Sequence, residues 1–334
     1  MKNQLLILSV ATLSILVVVV FFVVDSDIVS RKFSLESAKK SHLKINTHFP
    51  NQTIENNDFS KVIETALPEK ASVYRFDLET TSPAKAQKIA AALGFSGGFQ
   101  ETNDAVFGKV YSWQDKEKSL SVSSQGIEFV KALTNLPKLS KGNPQDYFAK
   151  AKKILEDLSL GYDQFIPRKD GISFLVVKGN LLEPAPSSDK SQIVRLTFDF
   201  VKDNLPFLLG DPQMAYVEVS LSATGEMVRL SYKFPPTLKD QRVSDLINVN
   251  EAKKKVQAGE GILVNIIGVG DTGMERQAIE SASYDKISLG YYQPLSASGE
   301  IQPVYVFRGK GKVGNSEGTI YLYLPAVWGV TTGN

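Results

Sequence analysis

From Leu5 to Val24 the chain runs for twenty residues without a charge, and Ser9, Thr12 and Ser14 are the polar interruptions. At about 1.5 Å of rise per residue, a helix of that length spans roughly 30 Å, the hydrocarbon thickness of a bilayer. A cleaved signal peptide would have a shorter apolar stretch and small residues at its end. Here the run closes on Phe21-Phe22-Val23-Val24 and then Asp25-Ser26-Asp27. The segment therefore predicts a retained transmembrane anchor, residues 1–30, with Leu5 and Val24 as the ends of the span and the lipid bilayer as its first partner.

Orientation is contested within the sequence. Lys2 and the free amine lie on one side, against Arg31, Lys32, Lys39 and Lys40 on the other, a count that favours a cytoplasmic C-terminal domain. The four-residue tail carrying Lys2, the Asp25/Asp27 pair at the far boundary and the absence of cysteine favour export, and large domains translocate largely regardless of charge. The expectation is a single-pass cell-membrane protein with its C-terminal domain exported.

Composition removes several chemistries. With 38 Lys+Arg against 36 Asp+Glu the net charge is +2, too small a field to suggest a nucleic-acid partner. No cysteine is present, which excludes thiolate nucleophiles, disulfides, iron–sulfur clusters, sulfur-ligated zinc and a lipoprotein anchor. The two histidines, His42 and His48, fall just behind the apolar run, where no packed shell would orient a catalytic imidazole. No cofactor and no metal are expected.

Residues 31–69 are polar and aperiodic apart from a short helical pattern near Phe59–Ala66, and they read as a stalk. Beyond it, strand-like alternation is legible in Val194-Leu196-Phe198-Phe200, Val228-Leu230-Tyr232-Phe234 and Ile320-Leu322-Leu324. Three similar turns, Leu120–Gly126, Leu221–Glu226 and Leu295–Glu300, each place a glycine where a hairpin needs one. Helices carry their own punctuation. Ser82-Pro83 opens one that Gly94 ends, Asn143-Pro144 opens a second, and Asn248 with Glu251 resembles a capping box closed by Gly259. The predicted fold class is α+β: an N-terminal transmembrane helix, then repeated helix-plus-antiparallel-hairpin units at 70–140, 141–245 and 246–334, with helices packed on one sheet face.

These turns, the single span and the closing Gln302-Pro303-Val304-Tyr305-Val306-Phe307 strand resemble the PepSY-like and YycH/YycI-type extracytoplasmic proteins. That resemblance implies action by contact with membrane partners, such as a sensor histidine kinase, or by restraint of enzymes, and no catalysis. It transfers no individual site residue.

Motifs that suggest chemistry have plainer explanations. Gly268-Val269-Gly270-Asp271-Thr272-Gly273 spells a dinucleotide fingerprint, but lacks the βαβ context and reads as a loop between strands. Ser37-Ala38-Lys39-Lys40 and Ser187-Ser188-Asp189-Lys190 match S-x-x-K without the companion elements of that chemistry. The sequence thus favours a noncatalytic, membrane-anchored protein-interaction or regulatory module whose partner is another cell-envelope or membrane protein. Its predicted contact surface is aromatic: Tyr111 and Trp113 on one strand face, Tyr321 and Tyr323 on another, with packing beneath the helices as the competing account. The alternative is an envelope glycan hydrolase using paired carboxylates drawn from Glu183, Asp199, Asp203 and Asp211.

Overall fold

The computed structural model describes residues 41–333 apart from 46, 48, 50–52, 64–65, 106, 134–135, 140–143, 180, 269–278, 295 and 297. In chain order, β1 (Ser41–Lys44), β2 (Ile54–Asp58) and β3 (Lys70–Asp77) lead into helix α1 (Pro83–Ala92). A meander of β4 (Gln100–Asp104), β5 (Gly108–Gln114), β6 (Lys118–Val122) and β7 (Gly126–Lys131) precedes α2 (Pro144–Asp157). Then come β8 (Phe165–Lys178), β9 (Leu181–Pro184), β10 (Ile193–Lys202), β11 (Leu205–Leu208), β12 (Val217–Ser222), β13 (Met227–Lys233) and β14 (Thr237–Asp245). Helix α3 (Val249–Gln257) is followed by β15 (Ile262–Ile267), β16 (Ile279–Tyr292), β17 (Ser298–Val313), β18 (Ser316–Pro325) and β19 (Val330–Gly333).

The helix ends follow from the capping residues. The Ser82 hydroxyl accepts from the Lys85 amide at 3.2 Å, and Asn248 Oδ1 accepts from the Glu251 amide at 2.8 Å, each satisfying a donor that has no partner within its helix. Gly94 and Gly259 stop α1 and α3 in the left-handed region at φ +75° and +82°. The inward stripes are Ala86, Ile89 and Ala90 on α1, and Tyr147, Ala151 and Leu155 on α2. Burying a leucine such as Leu155 contributes about 1.5–3 kcal/mol relative to leaving it exposed. On α2, Phe148 packs edge-on against Phe198 of β10 at 5.5 Å between centroids.

Two ladders make up a 17-stranded mixed sheet. The first is antiparallel throughout, in the order β4-β5-β6-β7-β13-β12-β10-β8-β9. Its terminal strand β4 has five exposed residues, Gln100 to Asp104, and β9 at the other end is short and contains Pro184. The second centres on β16, β17 and β18, with β15 beyond β18 and with β2 and β11 lying parallel along the other edge of β16. The start of β17 pairs instead with β3, which also pairs with β14. β10 and β11 join the ladders through a hairpin whose Asp203 and Asn204 are both left-handed, at φ +53° and +61°. Asp203 Oδ2 accepts from the hydroxyls of Tyr74, Ser72 (3.2 Å) and Tyr291 (3.4 Å), fastening this turn to β3 and β16. Separately, β1 and β19 form a two-stranded sheet.

This architecture overturns the expected fold class. The helix-plus-hairpin units do not close on themselves, because β7 pairs with β13, and β3 pairs with both β14 and β17. Backbone hydrogen bonds across the anticipated boundaries merge the strands into one sheet system, on which three helices are a minor component among the described residues. Among those residues no helix is long and apolar enough to cross a membrane, and the Leu5–Val24 segment lies outside them. Two of the anticipated turns do sit at tight hairpins, β6–β7 and β12–β13 with Gly225 at φ +83°; the third lies in the wider β16–β17 connection.

The region read as a polar stalk is also revised. β2 pairs with β16, Tyr284 donates its hydroxyl to Asn57 Oδ1 at 2.9 Å, and the Phe59 ring stacks on Tyr284 at 4.9 Å and meets Phe307 edge-on at 5.9 Å. No helix forms at Phe59, where the chain turns after β2. Replacing Phe59 by Ala should lower unfolding free energy by about 1–3 kcal/mol, less than the full cost for a wholly buried ring. Denaturant titration checks this, and an unchanged midpoint would mean that the segment is a loose tether. Gly309 is fixed by close approach, since a Cβ there would lie 2.4 Å from Ser283 O and 2.7 Å from Tyr284 Cα. Gly309→Ala should destabilise by at least about 1–3 kcal/mol in the same assay, as overpacking does.

Candidate functional site

The site is built outward from Arg168 on β8. Its Nε and Nη2 donate to Asp199 Oδ1 of β10 at 2.9 and 2.5 Å, and Nε also lies 3.1 Å from Oδ2. Nη1 donates to the carbonyls of Pro212 (3.3 Å) and Gln213 (3.0 Å), and Nη2 to that of Met214 (2.9 Å). One planar guanidinium therefore anchors a carboxylate and three successive loop carbonyls, a task its fixed fork of donors suits. From the other side, Asp211 Oδ1 accepts from the Gln213 amide and from Asn265 Nδ2 of β15, both at 2.8 Å. The β11–β12 loop is held at each end of its turn, and it presents the Met214 side chain 56% exposed.

Beside that side chain opens a cavity of about 180 Å³, lined by Leu78, Phe107, Gln125, Leu209, Met214, Tyr216, Lys233, Phe234, Gln293, Pro294 and Ser296. Its wall is mainly apolar. At the base Tyr216, 1% exposed, donates its hydroxyl to Gln293 Oε1. The Lys233 ammonium is drawn to Glu128 Oε1 at 3.1 Å, and Lys85 lies over the Phe234 ring at 4.5 Å. Phe107, 40% exposed, also lines the cavity, and like Met214 it is a large apolar group left in water. A second depression, about 480 Å³ and polar, is lined by Asn56, Asn57, Asp58, Lys61, Ser281, Ser283, Lys310, Lys312 and Glu317 with Ala282. There the Ser60 amide and hydroxyl hold the Asp58 carboxyl below its usual range.

The aromatic surface expected from sequence is not assembled. Tyr111 and Trp113 are 1% and 5% exposed, meeting Phe99 edge-on at 5.0 and 5.6 Å between centroids. Tyr323 is fully buried against Tyr292, and only Tyr321 of the four is half-buried. Strand alternation places Tyr321 and Tyr323 on one face, but β15 and β17 flank that strand and neighbouring side chains enclose Tyr323. Burial, not an open sheet face, is where these rings obtain their stabilisation.

The four carboxylates considered for glycan hydrolysis are dispersed in role. Glu183 pairs with Lys178 at 2.5 Å, Asp199 with Arg168, Asp203 with three hydroxyls, and Asp211 with Asn265. Among the described residues no cluster of three or more His, Asp or Glu could hold a metal ion. Residues 269–278, with most of the glycine-rich motif, lie outside the described residues; that stretch connects β15 to β16. Arg168, Phe107, Met214, Tyr216 and Gln293 carry no linear pattern, and Gly210-Asp211-Pro212 is the one local sign, that of a tight loop.

No family model matches the chain, and no curated protein does. Among solved structures, an uncharacterized protein from Eubacterium rectale is similar over 83% of this chain and 89% of its own, at 12% identity and a TM-score of 0.49.

Burial raises the phenols of Tyr216, Tyr232, Tyr284 and Tyr323, that of Tyr232 to about 12. Unfolded tyrosine ionises near 10. Since the folded values are raised, the stability these phenols contribute is fully present below pH about 10 and is lost as pH climbs through the folded values. Phenolate absorbance should therefore stay low for these residues until unfolding, and denaturation midpoints should fall steadily above pH about 10. Smooth titration of every tyrosine near pH 10 with the fold intact would contradict their burial.

Proposed function

We propose that this chain is a noncatalytic protein-interaction module, and that the pocket behind Met214 receives an apolar side chain of its partner. The observation that carries this reading is the pairing of exposed Met214 and Phe107 with an adjoining apolar cavity. At about 180 Å³ the cavity is slightly larger than the ~150 Å³ void that accepts a benzene ring in another protein, so it suits one aromatic or branched aliphatic group. Such anchors, seated in a small desolvated pocket, dominate protein–protein affinity. Because Arg168 and Asp211 already order the loop, little conformational entropy remains to be lost on binding. The exported location read from the Leu5–Val24 sequence makes the partner another cell-envelope protein.

A photo-crosslinking side chain at position 214 of the full chain, compared in cells with one at exposed Val243 on β14, tests this reading. The expected outcome is one protein captured from 214 and not from 243, which binds the purified chain. Met214→Asp should weaken that binding about tenfold or more while leaving the unfolding midpoint unchanged. Equal capture from both positions, or binding indifferent to the substitution, would remove the pocket from the interface.

A further inference from the structure

The face of the first ladder turned away from the helices carries an arrangement that the pocket does not use. Strand register places Ser173, Arg195, Ser220, Arg229 and Val130 in one row across β8, β10, β12, β13 and β7. Cross-strand partners project from the same face, and neighbouring strands lie about 4.8 Å apart, so two arginines flank a single serine.

The charges in this row are unbalanced. Arg195 is ion-paired through Nε, 3.3 Å from Glu218 Oε1, in a contact that lacks hydrogen-bond geometry. Arg229, half-buried, has no acidic or hydrogen-bonding partner among the described residues, and its Nε is buried without an acceptor. The other carboxylates on nearby strands are engaged: Glu128 by Ser231 and Lys233, and Glu226 by Lys131. Between the arginines, Ser220 is 0% exposed and its hydroxyl has no partner among the described residues. A partly desolvated guanidinium beside an unsatisfied hydroxyl is costly unless an acceptor completes it.

We propose that Arg229, with Arg195 and Ser220 beside it, forms a binding site for an oxyanion, a carboxylate or phosphate group held by the two-point fork of the guanidinium. The shared chemistry has two sources, a free anion or an acidic side chain of a partner protein. The site stands independently of the Met214 pocket.

The test is protection of Arg229 in the full chain from phenylglyoxal, mapped by peptide mass spectrometry, in sodium chloride, sodium phosphate or tetraglutamate at matched ionic strength. At a ligand concentration about ten times Kd, modification of Arg229 should slow about tenfold relative to chloride. Protection by phosphate assigns the site to a free anion, and protection by tetraglutamate alone assigns it to an acidic partner segment. Arg308, already paired with Asp285 at 3.0 Å on another strand, should show no such dependence. In a second measurement, the phosphate- or tetraglutamate-dependent rise in unfolding midpoint should be lost in Arg229→Gln and require about tenfold more ligand in Arg229→Lys, which keeps the charge without the fork. Equal modification rates in all three salts, or equal protection of Arg308, would overturn the proposal, and this readout on the unaltered chain does not depend on how well either variant folds.

Discussion

The hairpin that carries the chain from β10 to β11 is the connection on which the sheet system depends. β10 belongs to the first ladder, β11 runs parallel to β16 in the second, and two residues turn between them. Asp203 and Asn204 both occupy the left-handed region, a conformation that Asp and Asn tolerate better than most residues and that matches the twist of a two-residue hairpin. The carboxylate of Asp203 then accepts hydroxyls from both β3 and β16. Backbone geometry thus redirects the chain, and one side chain fastens the turn to strands distant in sequence.

The same economy of means recurs at the loop before β12. Arg168 donates to three successive carbonyls, while Asp199 balances its charge. The result is a loop of fixed backbone bearing a flexible, polarizable methionine at its tip, a combination suited to contact with an imperfectly matched surface. Behind it the Tyr216–Gln293 bond satisfies the polar groups at the cavity base.

Much of the local structure was legible from the residues. Ser82-Pro83, Asn248 with Glu251, and the terminal glycines Gly94 and Gly259 mark helix ends through capping chemistry that acts within a few residues. Alternation marks β10, β13 and β18 because one face of each is buried. Strand partnership was not legible: nothing within β7 specifies β13, and nothing within β3 specifies β14 and β17. β2 escaped notice because Ile54-Glu55-Asn56-Asn57-Asp58 has no apolar alternation; its place is held by backbone pairing to β16 and by the neighbouring Phe59 ring. The pocket was hidden for a related reason, since its lining is gathered from segments between Leu78 and Ser296 that only the tertiary fold brings together.

The two flanks of the longer ladder each carry a device that blunts an open sheet edge. Gln100 to Asp104 offer a neighbouring backbone only solvated polar side chains, and Pro184 withholds an amide at the opposite flank. Both borders of this ladder therefore disfavour the addition of a further strand.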